Sequence, residues 1–163
     1  MALWELLAPR RLLTTSKASR WMSNLGLVLM DTMAVRLILP MQAVGIALFV
    51  EAHGWGILNI IILPPWTRTL LGILGLDLVI YLQHAMFHAL PLFWRLHRMH
   101  HTDLDYDVTT GIRFHPLEIL LSMGIKMVGV AVLGPSALAV VLFEVLLNAT
   151  SMFNHGNVRF PKE

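Results

Sequence analysis

Long apolar stretches constrain this chain more than any other feature of its sequence. Residues 25–50 and 117–153 are almost continuously apolar, and 57–81 is broken only briefly. The composition agrees, since 56% of residues are hydrophobic, 13% are charged, and the mean hydropathy is +0.68. A soluble domain of this length could not shield so much apolar surface from water. We therefore predict a membrane protein, in which most apolar side chains face lipid.

The apolar stretches predict about four membrane crossings. Residues 25–50 form a first span that Pro40 would kink. Residues 57–81 form one bent return crossing, whose first half is re-entrant or interfacial. Residues 117–153 are too long for one span of ~20 residues, and Gly134–Pro135 is a natural hairpin point. The expected fold is therefore all-α, a polytopic membrane helical bundle.

The basic residues predict how this bundle is oriented. Residues 1–22 are expected to lie at the membrane surface, ahead of a membrane domain over residues 23–163. The cations of this first segment are Arg10, Arg11, Lys17 and Arg20. Segments rich in Lys and Arg stay on the cytoplasmic side. Two crossings precede the polar segment 84–116, so this segment returns to the side of the N-terminus, which is the cytoplasmic face. Two further crossings follow it. His53 lies between the first two crossings and is therefore expected at the opposite face.

The composition also excludes several classes of function. The chain has no cysteine, which rules out disulfides, iron–sulfur clusters and thiolate metal sites. A formal charge of +2, with no basic stripe beside stacking aromatics, argues against nucleic acid as a partner. Eight histidines remain as candidate metal ligands.

Five histidines between residues 84 and 101 are spaced as ligands on helices. His84 and His88 are four residues apart, so they share one helical face. His97, His100 and His101 share another face for the same reason. With an ordinary pKa near ~6.5, they are mostly neutral at physiological pH, and neutral imidazole is the form that binds metal. The pattern predicts a metal centre.

Other polar residues are candidates for supporting roles. His155 returns to the same face and is a further candidate ligand. His115 is expected to line the site, because Pro116 fixes a turn directly after it. Asp103 is a candidate hydrogen-bond partner that would orient a ligand histidine. Asp77 lies within a predicted span, where an ionisable group is costly and therefore a functional candidate.

The order and spacing of these motifs resemble the fatty acid hydroxylase and sterol desaturase superfamily. The resemblance extends from about residue 77 to residue 161, through "YLQHAMFH", "LFWRLHRMHH", "DVTTGIRFHPLE" and "FNHGNVRFP". It implies a small helical membrane bundle capped by a cytosolic di-iron site, and oxygen-dependent hydroxylation or desaturation of a lipid C–H bond. It also implies the metal ligands His84, His88, His97, His100, His101 and His155.

One element of the superfamily pattern is missing. Its members carry a further HxxHH box some residues beyond the position of His155, and this sequence ends at Glu163. Without that box, the histidines could hold one metal well but leave a di-iron pair short of ligands. We expect the sequence to be C-terminally truncated, with an HxxHH segment in the complete form. The alternative is a non-catalytic remnant that binds metal.

The ligand chemistry by itself points in the same direction. Imidazole suits iron, copper and zinc, whereas breaking an unactivated C–H bond requires a redox metal, which zinc is not. No haem, flavin or nicotinamide motif is present, so a cytochrome b5-like protein, a ferredoxin or a reductase must supply electrons. Two other classes stay open: a membrane haem electron carrier, and a metal transporter supported by Asp31 and Asp77. The sequence does not encode which lipid is bound.

Replacing His100 by Ala is expected to lower bound metal per chain strongly, because it removes an imidazole from the predicted ligand set. Replacing His53 by Ala is the matched control and is expected to leave the metal content unchanged. Elemental analysis of the detergent-purified chain, after anaerobic loading with ferrous iron, measures both. Equal losses from the two variants would contradict the assignment of the site.

Overall fold

The computed structural model describes residues 1–159, and this part of the chain is helical, with an isolated β-bridge between Pro9 and Val158 and no strand. The elements in chain order are α1 Ala2–Leu7, α2 Lys17–Ile38, α3 Ala43–Ala52, α4 Ile57–Ile60, α5 Pro65–Ala89, α6 Pro91–His101, a 3₁₀ helix Thr110–Ile112, α7 Pro116–Leu133 and α8 Ala137–Asn154. The predicted all-α class is confirmed.

Within residues 1–159, four helical segments are long and apolar enough to cross a membrane, which confirms the predicted number of spans. They are Lys17–Ile60, Pro65–Ala89, Pro116–Leu133 and Ala137–Asn154. The first segment combines α2, α3 and α4, while α5, α7 and α8 are each one continuous helix. Large apolar side chains remain exposed along all four segments, as expected where lipid replaces water as the solvent.

The first crossing is broken where Pro40 predicts a kink. Helix α2 ends at Ile38, because a residue that precedes proline is sterically disfavoured in the α region, and α3 resumes at Ala43. Helix α2 also begins at Lys17, so the predicted boundary between residues 22 and 23 lies inside a helix. The N-terminal surface segment and the first span are therefore continuous at this point.

The return crossing is one continuous helix of the predicted length, 25 residues, but it begins and ends eight residues later than the sequence predicts. Helix α4 is a single turn, and α5 then begins at Pro65, where a proline at the first helical position needs no intrahelical hydrogen bond. The helix continues beyond Tyr81 to Ala89. Because α5 extends past the predicted end of the span, it carries His84 and His88 on its own last turns.

Small residues bring the helices of the bundle into close contact. The buried apolar core consists of Ala43, Ala47, Leu76, Val130, Val140 and Phe143. Gly72 of α5 lies against Pro135 and Ala139, and a Cβ at Gly72 would stand only 2.9 Å from the Cβ of Pro135. Close backbone approach of this kind is how helices associate where no hydrophobic effect drives them together.

The hairpin between α7 and α8 is confirmed at Gly134–Pro135. Gly134 caps α7 in the left-handed region, with φ 67° and ψ 44°. The turn also packs closely against the far end of the first crossing. A Cβ at Gly134 would lie 2.6 Å from Nδ2 of Asn59 and 2.7 Å from the carbonyl oxygen of Trp55. Conformation and space both require glycine at this position.

Replacing Gly134 by Ala is expected to destabilise the bundle by about 1–2 kcal/mol from the left-handed backbone alone, with the contact at Asn59 adding to this. Gly124→Ala is the matched control. It lies inside α7 with open space around it, so about 0.5–1 kcal/mol of stabilisation is expected. Thermal unfolding in detergent measures both, and equal shifts would refute the close packing of the hairpin.

Candidate metal centre

A sharp turn between α5 and α6 brings two groups of histidines together. Leu90 adopts an extended conformation, φ −100° and ψ 122°, as the residue before Pro91 favours, and α6 begins at that proline. Helix α6 then folds back over the end of α5. The ring of His97 consequently lies 4.7 Å from that of His84 and 4.8 Å from that of His88, measured between centroids.

All six predicted ligands lie in one group, here named the histidine cluster: His84, His88, His97, His100, His101 and His155. Three pairs of Nε2 atoms are close, at 3.2 Å for His84 and His88, 3.2 Å for His97 and His101, and 2.9 Å for His100 and His155. Two nitrogens that are each about 2.1 Å from one ion lie roughly 3 Å apart. The spacing therefore suits metal ligation.

Three histidines of the cluster donate a hydrogen bond from the other ring nitrogen, Nδ1. The acceptors are Oε1 of Glu118 for His97 at 2.6 Å, the carbonyl oxygen of Arg113 for His100 at 3.1 Å, and the carbonyl oxygen of Ser151 for His155 at 2.7 Å. These acceptors cannot donate, so the proton lies on Nδ1 and the lone pair on Nε2 is free for a metal. The chemistry of the donor set fits iron.

Glu118 is a buried partner that the sequence analysis missed. Its side chain lies in the first turn of α7 and is 2% exposed. One oxygen accepts from His97, and Oε2 has no hydrogen-bond partner among residues 1–159. A carboxylate at a helix N-terminus is favoured by the helix dipole. The available signal was an acidic residue at the start of an apolar helix, directly after a histidine-rich segment.

Burial keeps two histidines of α6 in their neutral form. For His100, burial and then the neighbouring His155 lower the pKa to about 3. For His101, burial and then His97 lower the pKa below its ordinary value. Neutral imidazole is the form that ligates metal.

Aromatic side chains pack around the cluster. Phe114 stacks on His100 with ring centroids 4.8 Å apart and planes 3° from parallel, and Tyr106 stacks on His155 at 5.9 Å and 12°. Trp94 contacts His101 at 5.5 Å. These contacts restrict ring rotation and limit the access of water to the cluster, both of which favour a fixed set of ligands.

Asp103 does not hold a histidine, in contrast to the sequence prediction. Its Oδ2 accepts hydrogen bonds from Arg20 and from Thr110, each at 2.7 Å. Helix α6 ends at His101, and the chain then turns toward α2, where Arg20 supplies the opposite charge. Burial alone would raise the pKa of Asp103, but the bonds from Arg20 and Thr110 lower it below the ordinary value.

The other candidates are also apart from the cluster. His115 caps α7, its Nδ1 accepting from the backbone N–H of Leu117 at 3.2 Å, and no ring contact joins it to the cluster within residues 1–159. Asp77 is exposed on α5, about 10 Å along the helix from His84. His53 lies at the opposite end of the bundle against Phe49 and Trp55, as predicted.

A buried ion-pair network holds the segment between α6 and α7. Arg20 contacts Oδ2 of Asp107 at 2.8 Å in addition to Asp103. One turn further along α2, Nδ2 of Asn24 donates to Thr109 at 2.8 Å. The network fixes the loop that leads to Arg113, the acceptor for His100. From the sequence, Arg20 was expected only to help set the orientation of the chain in the membrane.

The N-terminal segment is tied to both chain segments that flank the cluster. Glu5 is 4% exposed, and its Oε1 accepts from the backbone N–H of Val108 at 2.7 Å and of Asn157 at 2.8 Å. Hydrogen bonds from Thr14, opposed by burial, lower the pKa of Asp105. The first residues of the chain therefore contribute to the architecture of the histidine end.

A cavity of about 250 Å³ lies directly beneath the cluster, among α5, α7 and α8. His84, His100 and His155 line its upper wall, and apolar residues such as Ile80 and Leu147 line its sides. A largely apolar cavity that meets a few convergent polar groups is typical of a small-molecule site. This one opens beside His84, His100 and His155.

The structure thus defines a class: an α-helical bundle with four segments able to span a membrane, capped by a histidine cluster over a cavity. Sequence comparison identifies the family. The sequence profile of the fatty acid hydroxylase family matches residues 69–163, and the chain belongs to that family.

Two curated relatives are alkylglycerol monooxygenases. The Xenopus tropicalis protein is 39% identical over 62 residues, and the Homo sapiens protein is 36% identical over 58 residues. Each match covers 36% of this chain, but only 14% and 13% of the respective relative. No solved structure matches the chain.

Replacing Glu118 by Gln is expected to weaken metal binding by about 10- to 100-fold, because a neutral amide is a poorer acceptor for His97 than a carboxylate. Glu51→Gln, at the far end of the bundle, is the matched control and is expected to have no effect. Titration of the metal-free chain with ferrous iron measures both affinities. An unchanged affinity in the Glu118 variant, with folding intact by thermal unfolding, would refute the orienting role.

Proposed function

We propose that this chain carries the catalytic centre of an oxygen-dependent lipid hydroxylase that uses iron held by the histidine cluster. The observation that carries the proposal is a set of three close Nε2 pairs, at 2.9 to 3.2 Å, beside a cavity within the bundle. Among them, ligand nitrogens of His84, His88 and His97 lie within 4.8 Å of one another. Membership of the fatty acid hydroxylase family supports a lipid as the substrate. A di-iron centre is the form we propose, with the ligands His84, His88, His97, His100, His101 and His155.

The residues of the chain have separable tasks in this proposal. The imidazoles hold the metal through Nε2, and the partners of Nδ1 fix the orientation of the rings. Phe114 and Phe87 limit the access of water to the cavity, which both residues line. Bound iron supplies the redox chemistry that side chains lack, and the cavity positions the C–H bond next to it. The bilayer delivers the lipid laterally between helices.

The net reaction defines what must come from outside. A C–H bond, dioxygen, two electrons and two protons give an alcohol and water, so an external electron donor is required. We propose a cytochrome b5-like protein, a ferredoxin or a reductase as the donor. The cations Arg10, Arg11, Arg95 and Arg98 belong to segments at the histidine end, which supports a cytoplasmic location of the metal centre.

Two relatives are named for alkylglycerols, which makes an alkylglycerol our proposed substrate. Hydroxylation is preferred to desaturation on the same grounds, since those relatives are named as monooxygenases. The matches cover only 14% and 13% of the length of those relatives, so the proposal concerns that segment. The activity of a complete protein is proposed by extension from it.

The test is turnover of an alkylglycerol by the purified chain. The chain is loaded anaerobically with ferrous iron, supplied with a chemical reductant, and exposed to oxygen-18 gas. Mass spectrometry is expected to find label in a hydroxylated product, and elemental analysis is expected to find bound iron before the reaction. His97→Ala is expected to abolish both signals and His53→Ala neither.

The possible failures differ in meaning. Iron without labelled product would contradict the catalytic proposal and favour a metal-binding remnant. Less iron than the proposed pair, with activity restored by a longer chain, would assign the remaining ligands to a region outside this sequence. Iron bound equally by the His97 variant would contradict the ligand set itself.

A further inference from the structure

A second cavity lies beside the histidine site, between α2 and the α7–α8 pair. Its volume is about 290 Å³, and one wall comes from α2, which precedes the range that the family profile matches. Apolar side chains supply much of the lining. Its polar lining residues are Asp31, Thr32, Arg36, Gln42 and Asn148. So many polar groups are unusual beside segments that are otherwise strongly apolar.

Asp31 is the buried carboxylate that lines this cavity. Its side chain is 6% exposed, and no donor within residues 1–159 reaches its buried Oδ1. The neighbouring hydroxyl of Thr32 donates instead to the carbonyl oxygen of Val28, at 2.7 Å. A buried carboxylate oxygen without a donor is costly, and a bound ligand that donates a hydrogen bond would relieve that cost.

The other polar residues indicate what kind of ligand fits. Arg36 is a cation on the same wall and disfavours an ammonium group, while the Asp31 carboxylate disfavours a phosphate. The amides of Gln42 and Asn148 can both donate and accept. A hydroxyl group is neutral and also does both, so a polyol matches this mixture of donors and acceptors.

We propose that the cavity binds the neutral, hydroxyl-bearing head group of a lipid, with Asp31 accepting hydrogen bonds from its hydroxyls. The two cavities share Phe114, Ile119 and Asn148 as lining residues. A head group at Asp31 therefore lies one layer of side chains away from the space beneath the histidines. Identifying the bound lipid with the substrate rests on the proposed function, whereas the binding site itself does not.

The test measures binding without iron or oxygen. The purified chain in detergent is titrated with hexadecylglycerol and with its dimethyl ether, which has the same chain but no hydroxyl donor. The wild type is expected to bind the glycerol form about tenfold or more tightly, the effect of a hydrogen bond to a charged acceptor. Asp31→Leu is expected to abolish this preference while leaving the affinity for the dimethyl ether unchanged.

Two further variants make the result specific. Asp31→Asn keeps an acceptor oxygen of the same shape, so it should retain part of the preference for hydroxyls and should fold where the leucine variant fails. Glu51→Leu removes a carboxylate at the far end of the first crossing and is the control, with the preference expected to be intact.

Other outcomes would overturn the proposal. Equal affinity of the wild type for hexadecylglycerol and its dimethyl ether would do so without any variant. Tighter binding of hexadecyl phosphate or of a hexadecyl ammonium ion would assign the cavity to a charged head group. Preference that depends on Asp31, combined with bound iron but no turnover, would refute the hydroxylase and leave this site standing. Turnover without that preference would support the hydroxylase and refute the proposed site at Asp31.

Discussion

The buried pairing of Arg20 with Asp103 and Asp107 is the interaction on which the histidine end is built. The guanidinium lies 2.7 Å from one carboxylate and 2.8 Å from the other, with all three side chains less than a tenth exposed. Leaving such charges buried and unpaired costs about 3–5 kcal/mol. The start of α2 must therefore pack against the loop after α6. This packing determines the position of the loop.

The orientation of the imidazoles depends in turn on that docking and on the packing of α7 and α8. His100 donates to a carbonyl at the end of the docked loop, His97 to a carboxylate on α7, and His155 to a carbonyl within α8. Three separate elements thus fix three rings. Helix ends alone could bring histidines near one another, but only these partners determine which nitrogen faces the centre of the cluster.

The sequence was sufficient for features that depend on local pattern. Hydropathy and length identified four spans, Pro40 and Gly134–Pro135 identified the breaks, and helical spacing identified histidines that share a face. Each of these features is determined by residues within a few turns of one another. Helical spacing also predicted that His84 and His88 follow Tyr81 on a helix, but the return span was placed at 57–81, whereas α5 runs from Pro65 to Ala89.

Features that depend on distant pairs could not be predicted in the same way. Asp103 has a histidine two residues before it and an arginine 83 positions away, and the structure pairs it with the arginine. By charge and side-chain length, Asp103 could pair with either residue. The position of α2 brings Arg20 next to it and so determines the pairing. Glu118 was missed for the same reason, since its partner His97 is separated from it by the whole loop between α6 and α7.

The distribution of polar groups within the spans links the fold to the proposed chemistry. Asp31, Gln83 and Lys126 are all buried in apolar helices, and each lines a cavity near the histidine cluster. Lys126 pairs with Glu144 at 3.0 Å, and Gln83 donates to Ser122 at 2.7 Å. Polar groups are costly within a bilayer unless they serve a cavity or one another. Their concentration here is expected of a bundle that admits an amphiphile, whose polar head needs partners at the depth where its chain meets the metal centre.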